Sequence, residues 1–314
     1  MIIKLLTLIP DNTKIDFFGH RLYAYAVTLI VILGSIFFVS TKGLNLGIDF
    51  TGGTVMEVQM PQEPDMEQLR DSLHKLDMGD ISIQQFGSPK DLMIRLPQQT
   101  GGPDAQKLAI EKLKATLDAE YKDQKVDYRR VEFVGPQVGE ELKKDGAMAV
   151  IISTIAIVAF ISFRFEWQYG IGAVVALIHD IVGTMGLFAV TQMQFDLSTM
   201  AAVLLVSGYS INDTVIIFDR IRENLRKYKK MPLPDLINLS INQTLPRTLM
   251  TSSATLLSLL ALWLFGGDVI RGFITALFFG IAIGTHSSIF VASPLLVYLR
   301  LRPAQKADAK EVTA

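Results

Sequence analysis

The chain has 314 residues, half of them hydrophobic and only 19% Asp, Glu, Lys or Arg, where an ordinary soluble domain carries about 25% charged residues. Its mean hydropathy is +0.35, its net charge is −1 and it has no cysteine. That balance excludes a basic field able to gather nucleic acid, and it excludes disulfides, thiolate metal sites and thiol nucleophiles. It marks a membrane protein.

Six segments reach the length of about 20 apolar residues that a bilayer core demands: 22–40, 146–163, 167–191, 197–218, 247–267 and 272–299. The first two are uncharged. The third is interrupted by His179 and Asp180, the fourth by Asp213 and the sixth by His286, while Arg247 opens the fifth. Segment 22–40 starts late, after Lys14, Asp16 and Arg21, and no small-x-small cleavage site follows it, so it reads as a retained anchor. Fifteen basic residues, Lys4, Arg300, Arg302, Lys306 and Lys310 among them, fall on the side of the termini. Arg271 alone falls in the two short opposite turns, 192–196 and 266–271. The positive-inside rule then predicts a cytoplasmic N-terminus (1–21), loop (219–246) and tail (300–314), with residues 41–145 on the outside. In a bacterial inner membrane that outside is the periplasm.

The outer insert alternates as a small globular domain does. Residues 54–60 are strand-like. Met66, Leu69, Leu73 and Leu76 then recur at helical spacing after the N-cap candidate Asp65. Ile81 and Ile83 alternate with polar neighbours, and so do Leu92, Ile94 and Leu96, with a Gly-Ser-Pro turn between the two runs. Ile110, Leu113, Leu117 and Tyr121 share a second helical face, and Val131 and Phe133 lie in a last strand. The order βαββαβ predicts an α+β, ferredoxin-like sandwich, which specifies no function by itself.

A charge at mid-membrane costs about 2.5–3.5 kcal/mol on the lenient insertion scale, so each one asks for a reason. Asp213 lies six residues before Asp219, roughly 9 Å of helix, and Arg247 enters from the same side, so the two can meet at similar depth. Thr248, Ser252 and Thr255 extend a polar stripe beyond Arg247, and His179 and Asp180 sit in the same half of the third span. A buried structural ion pair is the plain reading of Asp213 with Arg247, and interhelical hydrogen bonding that of His179 with Asp180. Gly280 and Gly284 make a GxxxG packing face, and His286 reads as a packing residue. An intramembrane aspartyl dyad of Asp180 and Asp213 lacks its Gly-x-Gly-Asp signature. Four scattered histidines supply no metal site, and no phosphate-binding loop is present. No catalytic residue, metal or cofactor is therefore expected. A carboxylate beside an arginine suits proton coupling, because burial and a nearby cation act on it in opposite directions.

One span, an outer domain and five further spans is the half-molecule plan of the resistance-nodulation-division transporters. The motifs are narrower than that plan. Asp49-Phe50-Thr51-Gly52-Gly53-Thr54 resembles the Phe-x-Gly-Gly-Thr element of protein-export subunits. Tyr209-Ser-Ile-Asn212-Asp213-Thr214 and the stretch 218–224, with Asp219 and Arg220, are similar to the SecF family in particular. So are the stretch 176–180, Arg247-Thr248 with Thr251-Ser252, and the stretch 284–288, where His286 replaces the family's usual Tyr. The resemblance implies a multi-pass inner-membrane subunit, half of a twelve-helix unit completed by SecD. It also implies association with the SecYEG translocon and YajC, and use of the proton motive force to pull preproteins outward after SecA has started them. Asp213 and Arg247, with Asp180 and His179, would form the proton pathway, and Phe50, Gly52, Gly53 and Thr54 the family signature or a hinge. The alternatives are a passive translocon-stabilising factor and a small-molecule proton antiporter. Residues 233–245, with apolar Leu236, Ile237, Ile241 and Leu245, read as an amphipathic helix on the membrane surface.

Overall fold

The computed structural model describes residues 13–86, 88–121, 125–267, 269–299 and 301. The basic termini invoked for orientation, Lys4 and Arg300, Arg302, Lys306 and Lys310, lie outside the described residues.

Among the described residues six helical stretches are long and apolar enough to cross a membrane. They are α1 (Arg21–Thr41), α5 (Pro136–Arg164), α6 (Trp167–Thr191), α7 (Leu197–Lys227), α8 (Leu233–Phe265) and α9 (Arg271–Ser287), which continues through a π turn (Ser288–Ala292) into α10 (Ser293–Tyr298). Helices α6, α7 and α9 form the inner layer and bury about half of their most apolar stretches. Helices α1, α5 and α8 pack outside them and leave wide apolar faces exposed. Small residues set the spacing. A Cβ at Gly284 of α9 would stand 2.9 Å from the Ser210 Cβ of α7, which makes this stretch a close-packing face of the small-residue type.

Two prolines shape the helices. Pro294 cannot donate to the carbonyl four residues back. The chain takes the π turn just before it, where the Ser293 hydroxyl donates to the Ser288 carbonyl at 2.8 Å. Pro246 lies inside α8, and the Asn242 carbonyl that it leaves free accepts from the Thr13 hydroxyl at 3.3 Å. Asn242 and Asn238, one turn apart, also hold the backbone of Ile15 and Phe17 through their side-chain amides. The segment 233–245 is accordingly no surface helix. It is the first half of α8, and Leu236, Ile237, Ile241 and Leu245 are buried in one cluster with Phe17, Ile217, Phe218 and Ile221. Its apolar stripe is real, but protein covers it. Asn224 of α7 fixes the same junction by donating to Ser240 and Gln243.

Between α1 and α5 stands the small domain. A single turn, α2 (Ile48–Thr51), leads into β1 (Gly53–Gln59), α3 (Met66–His74), β2 (Ser82–Phe86), β3 (Ser88–Pro97), α4 (Gly102–Glu120) and β4 (Asp127–Val134). The antiparallel sheet runs β2-β3-β1-β4, the ferredoxin-like order. Asp65 caps α3 by accepting from the Glu67 and Gln68 amides. Ile83, Ile94 and Met56 are directly opposed across three strands and face the helices, where they meet Leu69, Leu73, Leu113 and Leu117. Val131 and Phe133 are in register with Met56 and Thr54, but β4 is an edge strand and leaves both about two-fifths exposed. The opposite sheet face, with Gln84 and Arg95, looks toward the outer ends of the spans.

A two-layer sandwich of this kind holds its own core. A fragment of residues 53–135 is expected to unfold cooperatively on heating. Leu113→Ala, at a fully buried position, should cost it about 2–5 kcal/mol. Calorimetry of the two fragments checks this; a broad, non-cooperative trace for the parent fragment would contradict it.

Candidate functional site

Two carboxylates lie inside the helical bundle, and their surroundings differ. Asp180 of α6 is fully buried. Its Oδ2 accepts from the Ser210 hydroxyl of α7 at 2.5 Å and from the Ser287 hydroxyl of α9 at 2.9 Å, and its Oδ1 is 3.0 Å from Nδ1 of His179. Three helices thus converge on one acid. His179 is also buried, and its Nε2 has no hydrogen-bond partner. Its ring stacks on that of His286 at 6.2 Å, and His286 lies tilted against Phe290 at 5.0 Å. Beside this cluster the Thr214 and Ser288 hydroxyls pair at 2.7 Å.

Asp213, on α7, is equally enclosed but nearly without donors. Its single hydrogen-bond partner among the described residues is the Ser252 hydroxyl of α8, at 3.4 Å. That hydroxyl is also 2.9 Å from Thr285 of α9. A hydroxyl both donates and accepts, so Ser252 can give its proton to the carboxylate while accepting from Thr285, which links Asp213 to α8 and α9. Arg247 lies near enough for its charge to act on Asp213. No ion pair within 4.0 Å joins the two, and the Arg247 side chain is exposed on the flank of α8. The pairing at similar depth expected from sequence is therefore a proximity and not a contact. Asn212 is exposed as well, with Thr251 on the neighbouring helix. These polar groups, in mid-span on the α7–α8 flank, face outward from the chain.

Asp219 and Arg220 lie at the far end of α7, away from both carboxylates. Asp219 is 3.8 Å from Arg164 and Arg220 is 2.7 Å from Glu223, all largely exposed. Such pairs contribute at most about 1 kcal/mol.

The glycine motif sits at the opposite end of the bundle. Phe50 is 1% exposed and packs among Phe188 of α6, Ala202 and Val203 of α7 and Ala276 of α9. The backbone on its N-terminal side pairs with the α6–α7 turn. Gly47 donates to Phe195, Phe195 donates to Asn45, and the Asp49 carboxylate accepts from Leu197 N at 3.0 Å. On its C-terminal side Gly52 and Gly53 take φ of +74° and +132°, a region that side chains rarely enter. A Cβ at Gly53 would stand 2.6 Å from the Leu96 carbonyl, and one at Gly52 3.2 Å from Pro136. Thr54 then enters β1 fully buried, its hydroxyl accepting from Gln106 at 2.9 Å. The motif therefore drives an aromatic plug into the three inner helices and turns the chain sharply into the sheet.

Sequence reasoning named the acids but missed Ser210 and Ser287 as donors to Asp180, and Phe195 as the partner of the motif. Gly284, Ser287 and Ser288, with Ser207, Ser210 and Thr214, place small polar residues at helical spacing on facing helices. That pattern is the signal by which they could have been found.

The Phe50 plug is expected to govern docking of the outer domain. Phe50→Ala should cost about 3–5 kcal/mol and speed proteolysis at 42–52 in the membrane-embedded chain. Leu108→Ala, at an exposed position on α4, should leave the cleavage rate unchanged. Equal rates in the two variants would refute the docking role.

Comparison with known proteins adds the following. Residues 113–302 match the family described as protein export membrane protein SecD/SecF, C-terminal, and residues 37–60 match the SecD/SecF GG motif. The chain is 45% identical over 303 residues to the protein translocase subunit SecF of Rickettsia felis, covering 96% of this chain and 97% of that protein. It is 46% identical over 293 residues to the counterpart from Rickettsia akari, covering 93% and 94%. Among solved structures it resembles SecDF, a translocon-associated membrane protein from Thermus thermophilus, with a TM-score of 0.80 and 36% identity over 94% of this chain. It also resembles SecDF in a super-membrane-facing form, with a TM-score of 0.69. The chain spans 40% of the first SecDF chain.

Proposed function

The chain belongs to the SecF family of protein-export membrane proteins, and on that premise we propose that it uses the proton motive force to promote preprotein translocation, with Asp213 as the proton carrier. The observation that carries this reading is the contrast between the two buried acids. Asp180 has three close partners, the Ser210 and Ser287 hydroxyls and the His179 ring, at 2.5, 2.9 and 3.0 Å. Among the described residues Asp213 has one, the Ser252 hydroxyl at 3.4 Å, so fewer hydrogen bonds hold its charge.

The exposed Arg247, Asn212 and Thr251 support a partner on the α7–α8 flank. Polar side chains in mid-span turn toward protein rather than lipid, and the SecDF likeness makes SecD that partner. SecYEG, YajC and the preprotein belong to the same proposal. So does the orientation, with both termini cytoplasmic and the sandwich periplasmic.

The mechanism follows from the connectivity. Protonation of Asp213 removes a charge from the seam of α7, α8 and α9 and turns the carboxyl from an acceptor into a donor toward Ser252. Helices α7 and α9 run from that seam to the Phe50 plug, about 15 Å away at 1.5 Å per residue. A shift of either helix therefore moves the outer domain. One charge crossing 100 mV is worth about 2.3 kcal/mol, while swinging a two-state element from 1:99 to 99:1 takes about 5.5 kcal/mol. One proton per stroke thus biases the domain, and the gradient rectifies its motion without throwing it fully over.

Asp213→Asn is expected to assemble within about twofold of the parent amount and to lose gradient-dependent export. Asp180→Asn would keep one oxygen for the Ser210 and Ser287 hydroxyls but turn an NH2 toward Nδ1 of His179, cost about 1–3 kcal/mol and lower the amount of assembled protein. Preprotein completion in inverted vesicles, with and without uncoupler and normalised to assembled complex, separates the two. Full uncoupler-sensitive activity in Asp213→Asn would end the carrier reading.

The orientation has its own test in this cysteine-free chain. A cysteine at Asp104 should react with an impermeant thiol reagent added outside spheroplasts, and one at Lys229 should not. The reverse pattern would invert the topology.

A further inference from the structure

Between the open face of the sheet and the outer ends of the spans lies a cavity of about 420 Å³. Gln84, Arg70 and Arg95 line it from the domain, and Gln194, Asp196 and Arg271 from the loops. An adjoining space of about 460 Å³ shares Arg70, Arg95 and Gln194.

Arg95 is the anomaly. Its Nε and one terminal nitrogen are buried without a hydrogen-bond partner, and the other terminal nitrogen reaches only the Met93 sulfur at 3.4 Å. A buried guanidinium nitrogen lacking an acceptor is costly. The nearby acids are engaged elsewhere. Asp196 accepts from Ser198 and from the amide and hydroxyl of Thr199, and Asp49 accepts from Leu197 N. Neither comes within 4.0 Å of Arg95, and among the described residues Arg70 has no ion pair. Burial pushes Arg95 below its ordinary value, with Asp196 and Asp49 acting the other way. Both carboxylates compensate it only from a distance.

The depth of the cavity identifies what could fill it. Its loop residues lie where α6 ends (Thr191) and where α7 (Leu197) and α9 (Arg271) begin, so it opens at the level where spans leave the hydrocarbon. Arg271 lies over the ring of Trp263, 5.5 Å from its centre, and tryptophan marks that interface. Helix α9 starts there without a side-chain cap, presenting backbone donors. The phosphate groups of a bilayer stand at this height, and guanidinium forks match phosphate oxygens.

We propose that this cavity binds the phosphate of an anionic phospholipid headgroup, with Arg95 as its principal donor and Arg70 and Arg271 at its rim. An anionic lipid is favoured over a zwitterionic one because a headgroup ammonium would bring a further cation among three guanidiniums. The bound headgroup would bridge the sheet to the membrane surface and steady the docked domain.

The test is native mass spectrometry of the full chain in an uncharged detergent. It is titrated separately with phosphatidylglycerol, phosphatidylcholine, inorganic phosphate and a glutamate-rich peptide. One saturable phosphatidylglycerol site is expected, weakened about tenfold by Arg95→Gln and partly restored by Arg95→Lys, which keeps the charge but not the fork. Arg70→Gln, at an exposed position, should weaken it less and gives an answer even where the Arg95 variants fold poorly. Phosphatidylcholine should not saturate. Phosphatidylglycerol binding that neither Arg95→Gln nor Arg70→Gln alters would overturn the proposal. So would occupancy by inorganic phosphate or by the acidic peptide with no phosphatidylglycerol site, because the cavity would then belong to another ligand.

Discussion

A carboxylate in a low-dielectric bundle must be surrounded by donors or surrender its charge, and this constraint organises the inner layer of the protein. Asp180 meets the first condition. Ser210, Ser287 and His179 hold it, and to do so α7 and α9 must approach α6 closely. The glycines along α9 permit that approach, since a side chain at Gly284 would collide with Ser210. Packing and hydrogen bonding therefore specify one another: small residues bring the helices together, and the acid fixes their rotation and height. Asp213, three residues or about 4.5 Å of helix beyond Ser210, lacks such a shell. Helices α7 and α9 thus carry both the well-bonded acid, against α6, and the sparsely bonded one, against α8.

The outer end is fastened differently. Phe50 is held by apolar contact, and the Gly52-Gly53 corner by backbone geometry. The Asp49 carboxylate adds one hydrogen bond to the α6–α7 turn. In the proposed mechanism a change of charge at Asp213 would reach the plug through helices α7 and α9, which contact both. On that proposal the proton site and the domain would be coupled by helix packing rather than by a chain of ionisable residues.

Much of this was legible in the sequence, and the exceptions have physical causes. The spans appear because hydrocarbon tolerates few charges, and the sandwich because Ile83, Ile94 and Met56 alternate with polar neighbours. Asp65 announced α3 by its capping chemistry. The continuity of α8 did not appear: residues 233–245 read as a surface helix apart from the span 247–267, with Pro246 between them. Thr13, more than two hundred residues earlier, supplies the donor that its freed carbonyl accepts. The donors to Asp180 did not appear because they lie on two other helices, and only the three-dimensional register brings Ser210 and Ser287 to one oxygen. The separation of Arg247 from Asp213 is likewise a matter of helix rotation, which sequence spacing leaves free.

The central claim is that Asp213 exchanges its proton while Asp180 stays fixed. Infrared difference spectroscopy across a pH titration, on the full chain in lipid nanodiscs, tests it most directly through the carbonyl stretch of a protonated carboxyl. One intramembrane carboxyl band should titrate, vanish in Asp213→Asn and persist when Ser210 or Ser287 is replaced by Ala. A titrating band that survives Asp213→Asn and disappears in Asp180→Asn would contradict the account.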